Sequence, residues 1–317
     1  MHRAACALIV FVCTFGASCA RRAPEPAFTL KQVGPNAWAA IDNPKATSPA
    51  ASNAGFVIGD DGIVVIDTFS TEDAAKQLLA EIQQRTKLPV KFVVNTHYHL
   101  DHVAGNGVFA KQGATVLAQR NVRGWIHTEN LRLIGDFLTP ELKALTESIA
   151  APSVDYEQAS HLYLGSRAIN LRSFPGHTGG DSIVIVPDAR VAFLGDLFWR
   201  GMLPTLIDAS TKPWVETLDE ITAMSEPGYT FVPGHGAIGA AKDVAAFRDY
   251  LTALRTLVSE ARAQGKAGDA LVQAIVPRLK EKFGQWEFVE PIARANILET
   301  DAELNGTKRV PEPMKAD

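Results

Sequence analysis

The chain has 317 residues, enough for one large domain or for a domain with a helical appendix. Hydrophobic residues make up 46% and charged residues 21%, an ordinary composition for a globular protein. A formal net charge of −4 and the lack of any basic run in the body exclude nucleic acid as the main partner, since phosphate binding calls for clustered lysine and arginine.

Residues 1–20 read as a leader, not as part of the fold. His2 and Arg3 precede an apolar run over 4–17, too short for a permanent membrane helix, and small residues follow at Gly16, Ala17, Ser18 and Ala20. Two cuts fit this secretory pattern: one after Ala20, the other before Cys19, whose thiol would then carry a lipid. The second matches a lipobox only in part, because Gly16 stands where leucine is usual. Either cut predicts a periplasmic or secreted protein that touches membrane only through an N-terminal lipid anchor. Cys6, Cys13 and Cys19 all lie in or beside the leader, so the body holds neither a disulfide nor a thiolate for a metal.

The body opens with strand-like text over 28–33 and 37–41, then a loop rich in Pro, Ser, Ala and Asn over 42–53. Two apolar runs, 54–58 and 63–66, flank Gly59-Asp60-Asp61-Gly62, a hairpin signal. Ser70 and Asp73 read as a capping pair for a helix to about Lys87, with Ala74, Leu78, Leu79 and Ile82 on one face. Strands follow at 90–94 and 114–118, then a polar helical middle over 121–149. Further strands are predicted at 161–164, 168–174, 182–186 and 191–194, a helix at 213–225 and a short last strand at 229–232. From Ala240 the text is helical, and 307–317 reads as a disordered tail. Strands first in hairpins and then alternating with helices indicate a mixed α/β or α+β domain.

The segment Asn95-Thr96-His97-Tyr98-His99-Leu100-Asp101-His102 begins where a strand ends. In extended chain, residues two apart point to one side, so His97 and His99 can address one metal. Asp101 and His102 fall where the chain turns into a helix and can face a second metal. Three more candidates sit among glycines just after apolar runs: His177 in Pro175-Gly176-His177-Thr178-Gly179-Gly180-Asp181, Asp196 in Leu194-Gly195-Asp196, and His235 in Pro233-Gly234-His235-Gly236. Glycine neighbours let a loop approach an ion closely. Of the 8 histidines, the other three read otherwise: His2 in the leader, His127 on an exposed helix, His161 at a strand start. Trp125, Trp199, Trp214 and Trp286 read as core or pocket wall. Thr178 and Asp181 fit either of two roles, fixing a ligand imidazole or capping their loop.

These motifs, in this order, closely resemble the metallo-β-lactamase superfamily, whose pattern is HxHxDH, a His in a Gly-His-Thr loop, an Asp after a strand and a final Gly-His. The resemblance spans about 28–239 and includes the Asp67 loop. It implies a four-layer αβ/βα sandwich with a C-terminal helical extension over 240–306, and a metal site at one edge of the sheets. Position by position, it implies that His97, His99 and His177 hold a first metal, that Asp101, His102 and His235 hold a second, and that Asp196 bridges them. Imidazole and carboxylate donors suit zinc, two Zn2+ per chain, and also tolerate Mn or Fe. Two ions roughly 3.5–4 Å apart would share a water and lower its pKa toward about 7, giving a hydroxide nucleophile for a carbonyl substrate. Asp101 is the candidate catalytic residue, orienting that hydroxide and moving its proton toward the leaving group.

Within the superfamily, Asp196 disfavours an efficient β-lactamase and fits thioesterases, lactonases and related hydrolases, with a weak or true metallo-β-lactamase as the alternative. Gly195-Asp196-Leu197-Phe198-Trp199 with Pro204 and Asp208, and a helical tail carrying Asn296 and Glu299, resemble the exported β-lactamase-like hydrolases associated with quinoprotein and sulfur-oxidation systems. The expected partner is a small-molecule substrate bound by a monomer or homodimer, with Arg200 as a candidate anion contact. Segments 43–53 and 199–206 are the expected substrate walls. A nuclease would need the basic patch this chain lacks. A mononuclear iron sulfur dioxygenase would not need the second set, Asp101, His102 and His235.

Overall fold

The computed structural model describes residues 25–224 and 227–314. The expected leader with Cys19 and the last three residues of the chain lie outside the described residues. The elements run β1 (Phe28–Gly34), β2 (Ala37–Asp42), β3 (Ala54–Ile58), β4 (Ile63–Ile66), α1 (Glu72–Arg85), β5 (Val90–Val94), α2 (Leu100–Val103), α3 (Asn106–Ala110), β6 (Thr115–Gln119), α4 (Arg120–Trp125), α5 (Thr128–Ile134), α6 (Pro140–Glu147) and β7 (Val154–Tyr156). The second half runs β8 (Ala159–Leu164), β9 (Arg167–Ser173), β10 (Ser182–Val186), β11 (Val191–Arg200), α7 (Thr211–Met224), β12 (Thr230–Gly236), α8 (Ala241–Ala263), α9 (Gly268–Phe283) and α10 (Glu290–Asn305).

Two sheets form. One has the order β1-β2-β3-β4-β5-β6-β7, antiparallel up to β4 and parallel from β4 to β7; the other has the order β12-β11-β10-β9-β8, parallel only between β11 and β12. Alternation sorts the side chains into layers. Val57, Val64, Ile66 and Val94 of the first sheet meet Leu171, Val184, Phe193 and Val232 of the second in a shared inner core. The opposite face of the first sheet, with Phe56, Val65 and Val93, packs on Leu78 and Ile82 of α1 and Phe109 of α3. The outer face of the second sheet, with Ile183 and Ala192, packs on α7, α8, α9 and α10 through Trp214, Phe247, Leu254 and Ile297. Burying each such side chain contributes roughly 1.5–3 kcal/mol. The result is the mixed α/β, four-layer αβ/βα sandwich that the resemblance implied. The C-terminal helices α8–α10 share one core with α7 and β11 and so complete the outer layer.

Three differences from the sequence reading have physical causes. Helix α1 is capped by the Thr71 hydroxyl accepting from Ala74 N at 3.2 Å, so it starts at Glu72, and Ser70 is not its cap. Strand β11 runs past residue 194 to Arg200 because Gly195 takes φ +51°, a bulge that bends the strand without ending it. The tail over 307–314 does not hang free. Pro311 is buried, the Glu312 carbonyl accepts from Trp125 Nε1 at 2.9 Å, and Arg309 pairs with Glu129 at 2.8 Å. Among the described residues, no helix is long and apolar enough to cross a membrane.

Candidate metal centre

The ends of the parallel strands place the site. The loops after β4 and β5, the last residues of β12, the bulge of β11 and the hairpin between β9 and β10 all lie at one end of the sandwich. They deliver Asp67, His97 to His102, His235, Asp196 and His177 respectively. All seven predicted residues converge. His97, His99, His177 and Asp196 form one cluster of donor atoms lying within 4.8 Å of one another, and Asp101, His102 and His235 form a second.

Asp196 stands between the clusters with one oxygen toward each. Its Oδ2 lies 3.2 Å from His177 Nε2 and 3.7 Å from His97 Nε2; its Oδ1 lies 3.1 Å from His102 Nε2 and 3.3 Å from His235 Nε2. Asp101 Oδ2 closes the second cluster at 3.3 Å from His235 Nε2 and 3.5 Å from His102 Nε2. Two glycines make this approach feasible. A Cβ on Gly234 would sit 1.9 Å from Asp196 Oδ1, and one on Gly195 would sit 2.4 Å from Thr96 Oγ1.

The neighbours fix which imidazole nitrogens are bare. Asp67 Oδ2 accepts from the Thr96 hydroxyl at 2.7 Å, so that hydroxyl can only accept from His97 Nδ1, 3.1 Å away. His97 therefore carries its proton on Nδ1 and turns a bare Nε2 toward Asp196. Asp67 Oδ2 also takes the Nδ1 proton of His102 at 2.8 Å, freeing His102 Nε2 in the same way. His99 presents Nδ1 to His177 Nε2 at 3.0 Å, while its Nε2 faces Asp208 Oδ2 at 4.0 Å. The Nε2 atoms of His97 and His102 and the Oδ1 of Asp196 are buried with no hydrogen-bond partner. Buried lone pairs turned toward each other are costly unless a cation lies among them, and this donor set fits divalent metal.

The charges point the same way. Burial drives His97 well below the ordinary histidine range, reinforced by the neighbouring His102, and brings His177 down to about 3, so both are neutral. Burial also opposes charge on His102 and His235, but Asp196 and Asp101 outweigh it, raising His102 well above the ordinary range and His235 to about 9, so their Nε2 atoms, bare when they hold a cation, take up a proton in its place. Burial would raise Asp196, yet the imidazoles of His235, His102, His97 and His177 hold it well below the usual carboxylate range. The carboxylates thus draw positive charge into the centre.

The sequence reading left several supporting residues unassigned. Asp67, with φ +56°, accepts from Thr96 N at 2.8 Å as well as from the two groups above, tying β4 to the histidine loop. Asp208 accepts from the Tyr98 hydroxyl and, through both oxygens, from Arg132 Nη2 at 2.6 Å, which braces the chain beside His99. Burial opposes its charge, but the nearby His99 imidazole, the Tyr98 hydroxyl and the Arg132 guanidinium lower its pKa to about 2. Trp199 stacks on His235 with ring centroids 3.9 Å apart. Thr178 and Asp181 cap their own loop: Asp181 accepts from Thr178 N at 2.7 Å and from the Thr178 hydroxyl at 2.5 Å.

Two elements of the expected substrate side have partners within the fold. Arg200 is engaged with the Ile238 carbonyl and, at 3.2 Å, with Asp243, so it ties down the loop before α8. At the end of segment 43–53, Asn53 Nδ2 donates to the carbonyls of Pro233 and Gly236 at 2.9 Å each, bracing the backbone on either side of His235. The cavity beside the centre, about 530 Å³, is lined by His99, Asp101 and Leu206, with α5 and α10 as further walls.

The sequence pattern of the metallo-beta-lactamase superfamily matches residues 47–235, more than half of the chain. The chain belongs to that superfamily. It is 24% identical over 213 residues to the 2,4-dinitroanisole O-demethylase subunit alpha of Nocardioides sp. (strain JS1661), covering 67% of this chain and 58% of that one. It is 23% identical over 185 residues to the hydroxyacylglutathione hydrolase of Brucella anthropi, covering 57% and 60%. With the metallo-beta-lactamase type 2 of Bacillus cereus the figures are 22% over 217 residues, 67% and 77%. The matches thus span about three fifths of the first two relatives' own length. Among solved structures, the sec-alkylsulfatase Pisa1 from Pseudomonas sp. superposes with a TM-score of 0.70 at 16% identity, covering 90% of this chain and 52% of that one. A metallo-beta-lactamase from Pontibacter korlensis gives 0.57 at 21% identity, covering 71% and 99%. These likenesses concern the fold. Metal-dependent hydrolysis is the chemistry of the superfamily.

Proposed function

We propose that this protein is a two-metal hydrolase, with zinc as the resident metal, that cleaves an ester, lactone, thioester or β-lactam amide. The reading is carried by Asp196, whose two oxygens face one imidazole cluster each. His97, His99 and His177 would hold one ion, Asp101, His102 and His235 the other, and Asp196 both. A pair of divalent cations supplies Lewis acidity there, acidifying a water and polarising the scissile carbonyl.

The chain's own residues do the rest. His99 and Asp101 present the centre to the cavity, so the scissile group meets it from that side. The Asp101 side chain keeps 30% exposure while His102 and Asp196 are buried, which makes it the carboxylate that meets both water and substrate. It orients the attacking water, takes its proton and passes it to the leaving oxygen, sulfur or nitrogen. The acyl carbon gains the hydroxyl as its bond to the leaving group breaks. With Arg200 engaged by Asp243, no anchor for a substrate carboxylate comes from that position, which weighs against β-lactams.

The test is a panel of a chromogenic cephalosporin, a lactone, a glutathione thioester and simple esters, assayed with and without chelator. Cleavage of at least one, abolished by chelation and restored by zinc, is expected. Zinc-loaded protein that cleaves none of them would overturn the reading.

A further inference from the structure

The cavity beside the centre is apolar on nearly every side. Leu100, Leu133 and Ile134 form one wall, Leu206 and Ile207 a second, and Ile292 on α10 a third. Ile207 is 41% exposed, and Leu100, Leu133, Ile134 and Ile292 are only partly buried, so apolar surface remains exposed at the opening. Leaving such surface in water is unfavourable, and a contiguous apolar hollow of this kind marks a ligand site.

Its charges narrow the ligand further. Among the described residues that line the cavity, none is lysine or arginine; the charged ones are Asp101, at the centre, and Glu299. Glu299 is matched by the buried Lys308 at 3.5 Å, whose Nζ also donates to the Leu206 carbonyl behind the wall. The amide nitrogens of Asn130 and Asn296 are likewise engaged, with Tyr98 O at 2.7 Å and Pro204 O at 2.8 Å. A carboxylate or phosphate at the far end of a substrate would find no lysine or arginine among the lining residues, and Lys308 beside them is already held by Glu299 and the Leu206 carbonyl. Helix α10 lies beyond the stretch that matches the superfamily pattern, so this wall is particular to the chain's C-terminal part.

Resting on the hydrolase reading above, we propose that the substrate is an uncharged ester or lactone bearing a linear aliphatic chain, which lies in this cavity with the scissile carbonyl at His99 and Asp101. Glutathione thioesters, which are anionic, are disfavoured by the same surface.

Two measurements on the zinc-loaded full chain test this. The first is kcat/KM for 4-nitrophenyl esters from acetate to octanoate, alongside an anionic succinate half-ester. The second is calorimetric binding of the straight-chain alcohols from butanol to octanol, which needs no turnover. About a fourfold gain per methylene is expected in both until the cavity is filled, with the half-ester poorly used. Ala295→Trp on α10, or Ile207→Glu at the exposed rim, should bring the octanoate-to-acetate ratio down toward one and weaken octanol binding. Esters cleaved with no chain-length dependence and no alcohol binding would overturn the cavity assignment and leave the hydrolase standing. Graded alcohol binding with no ester cleaved would support the apolar cavity but overturn the assignment of an ester as its substrate, leaving the hydrolase reading to the wider panel.

Discussion

Replacing Asp67 by asparagine perturbs the second donor cluster without replacing any candidate ligand. Three donors converge on this carboxylate: Thr96 N at 2.8 Å on Oδ1, and Thr96 Oγ1 at 2.7 Å with His102 Nδ1 at 2.8 Å on Oδ2. An asparagine that keeps its oxygen on Thr96 N places an NH2 group against the other two. The Thr96 hydroxyl can rotate to accept, but the His102 ring can accept only by moving its proton to Nε2. That proton would lie where His102 now turns a lone pair toward Asp196 Oδ1, 3.1 Å away. The flipped amide instead sets NH2 against the Thr96 N–H. Either way one charge-assisted hydrogen bond is lost, about 1.5–3 kcal/mol. Loss of such an outer partner typically weakens a metal site by about 10–100-fold. The expected result is a protein that folds, keeps the ion at His97, His99 and His177, and binds the second one or two decades more weakly. Zinc competition titrations read both affinities, and guanidinium unfolding of the metal-free protein reads the stability loss. Unchanged affinity at both sites would refute the assignment of Asp67 as the group that sets the His102 proton.

Three further outcomes are expected. Asp101→Asn should lower kcat by about 10²–10⁴-fold, the usual contribution of a positioned proton-transfer group; a variant with both metals and full turnover would remove Asp101 from the chemistry. Arg200→Ala should leave the preference among anionic and neutral substrates unchanged and cost less than about 1 kcal/mol, as expected for a part-exposed ion pair; a selective loss of anionic substrates would restore it as a substrate contact. Glu303 accepts from Thr211 N at 2.9 Å, Thr211 Oγ1 at 2.6 Å and Arg255 at 2.8 Å. Burial works to raise its carboxyl, and these bonds outweigh it, so the folded pKa lies below the ordinary value. Its stabilisation is therefore present above the ordinary glutamate pKa and is lost as pH falls through the depressed folded value. Glu303→Gln should cost about 1.5–3 kcal/mol near neutrality, with the gap to the parent closing in acid; a gap that persists in acid would refute the ionic account.

The site was legible because its chemistry is local in sequence. His97 and His99 alternate in extended chain, Asp196 and His235 each follow a glycine whose missing Cβ the close approach requires, and His177 sits in a glycine-flanked loop. Most strands were legible for a similar reason, since runs such as Ile63–Ile66 are buried throughout. What escaped depends on distant pairing. Strand β7 is only Val154–Tyr156 and exists because it pairs with β6. The Asp208–Arg132–Tyr98 brace joins residues far apart in the chain, and nothing local in any of them declares it. The tail looked disordered because prolines and charges suit loops. Its order comes from Trp125, Glu129 and Asn121, which lie far upstream. The role of α10 as a cavity wall was likewise hidden, because helical periodicity reports a buried face but not what the other face borders.

The most direct measurement is the metal-to-chain ratio of the purified full chain, by elemental analysis after equilibration with zinc and removal of the excess. Two ions per chain in the parent and one or fewer in Asp196→Ala are predicted, since Asp196 faces both clusters. A single ion in the parent, or two ions held undiminished by Asp196→Ala, would contradict the account.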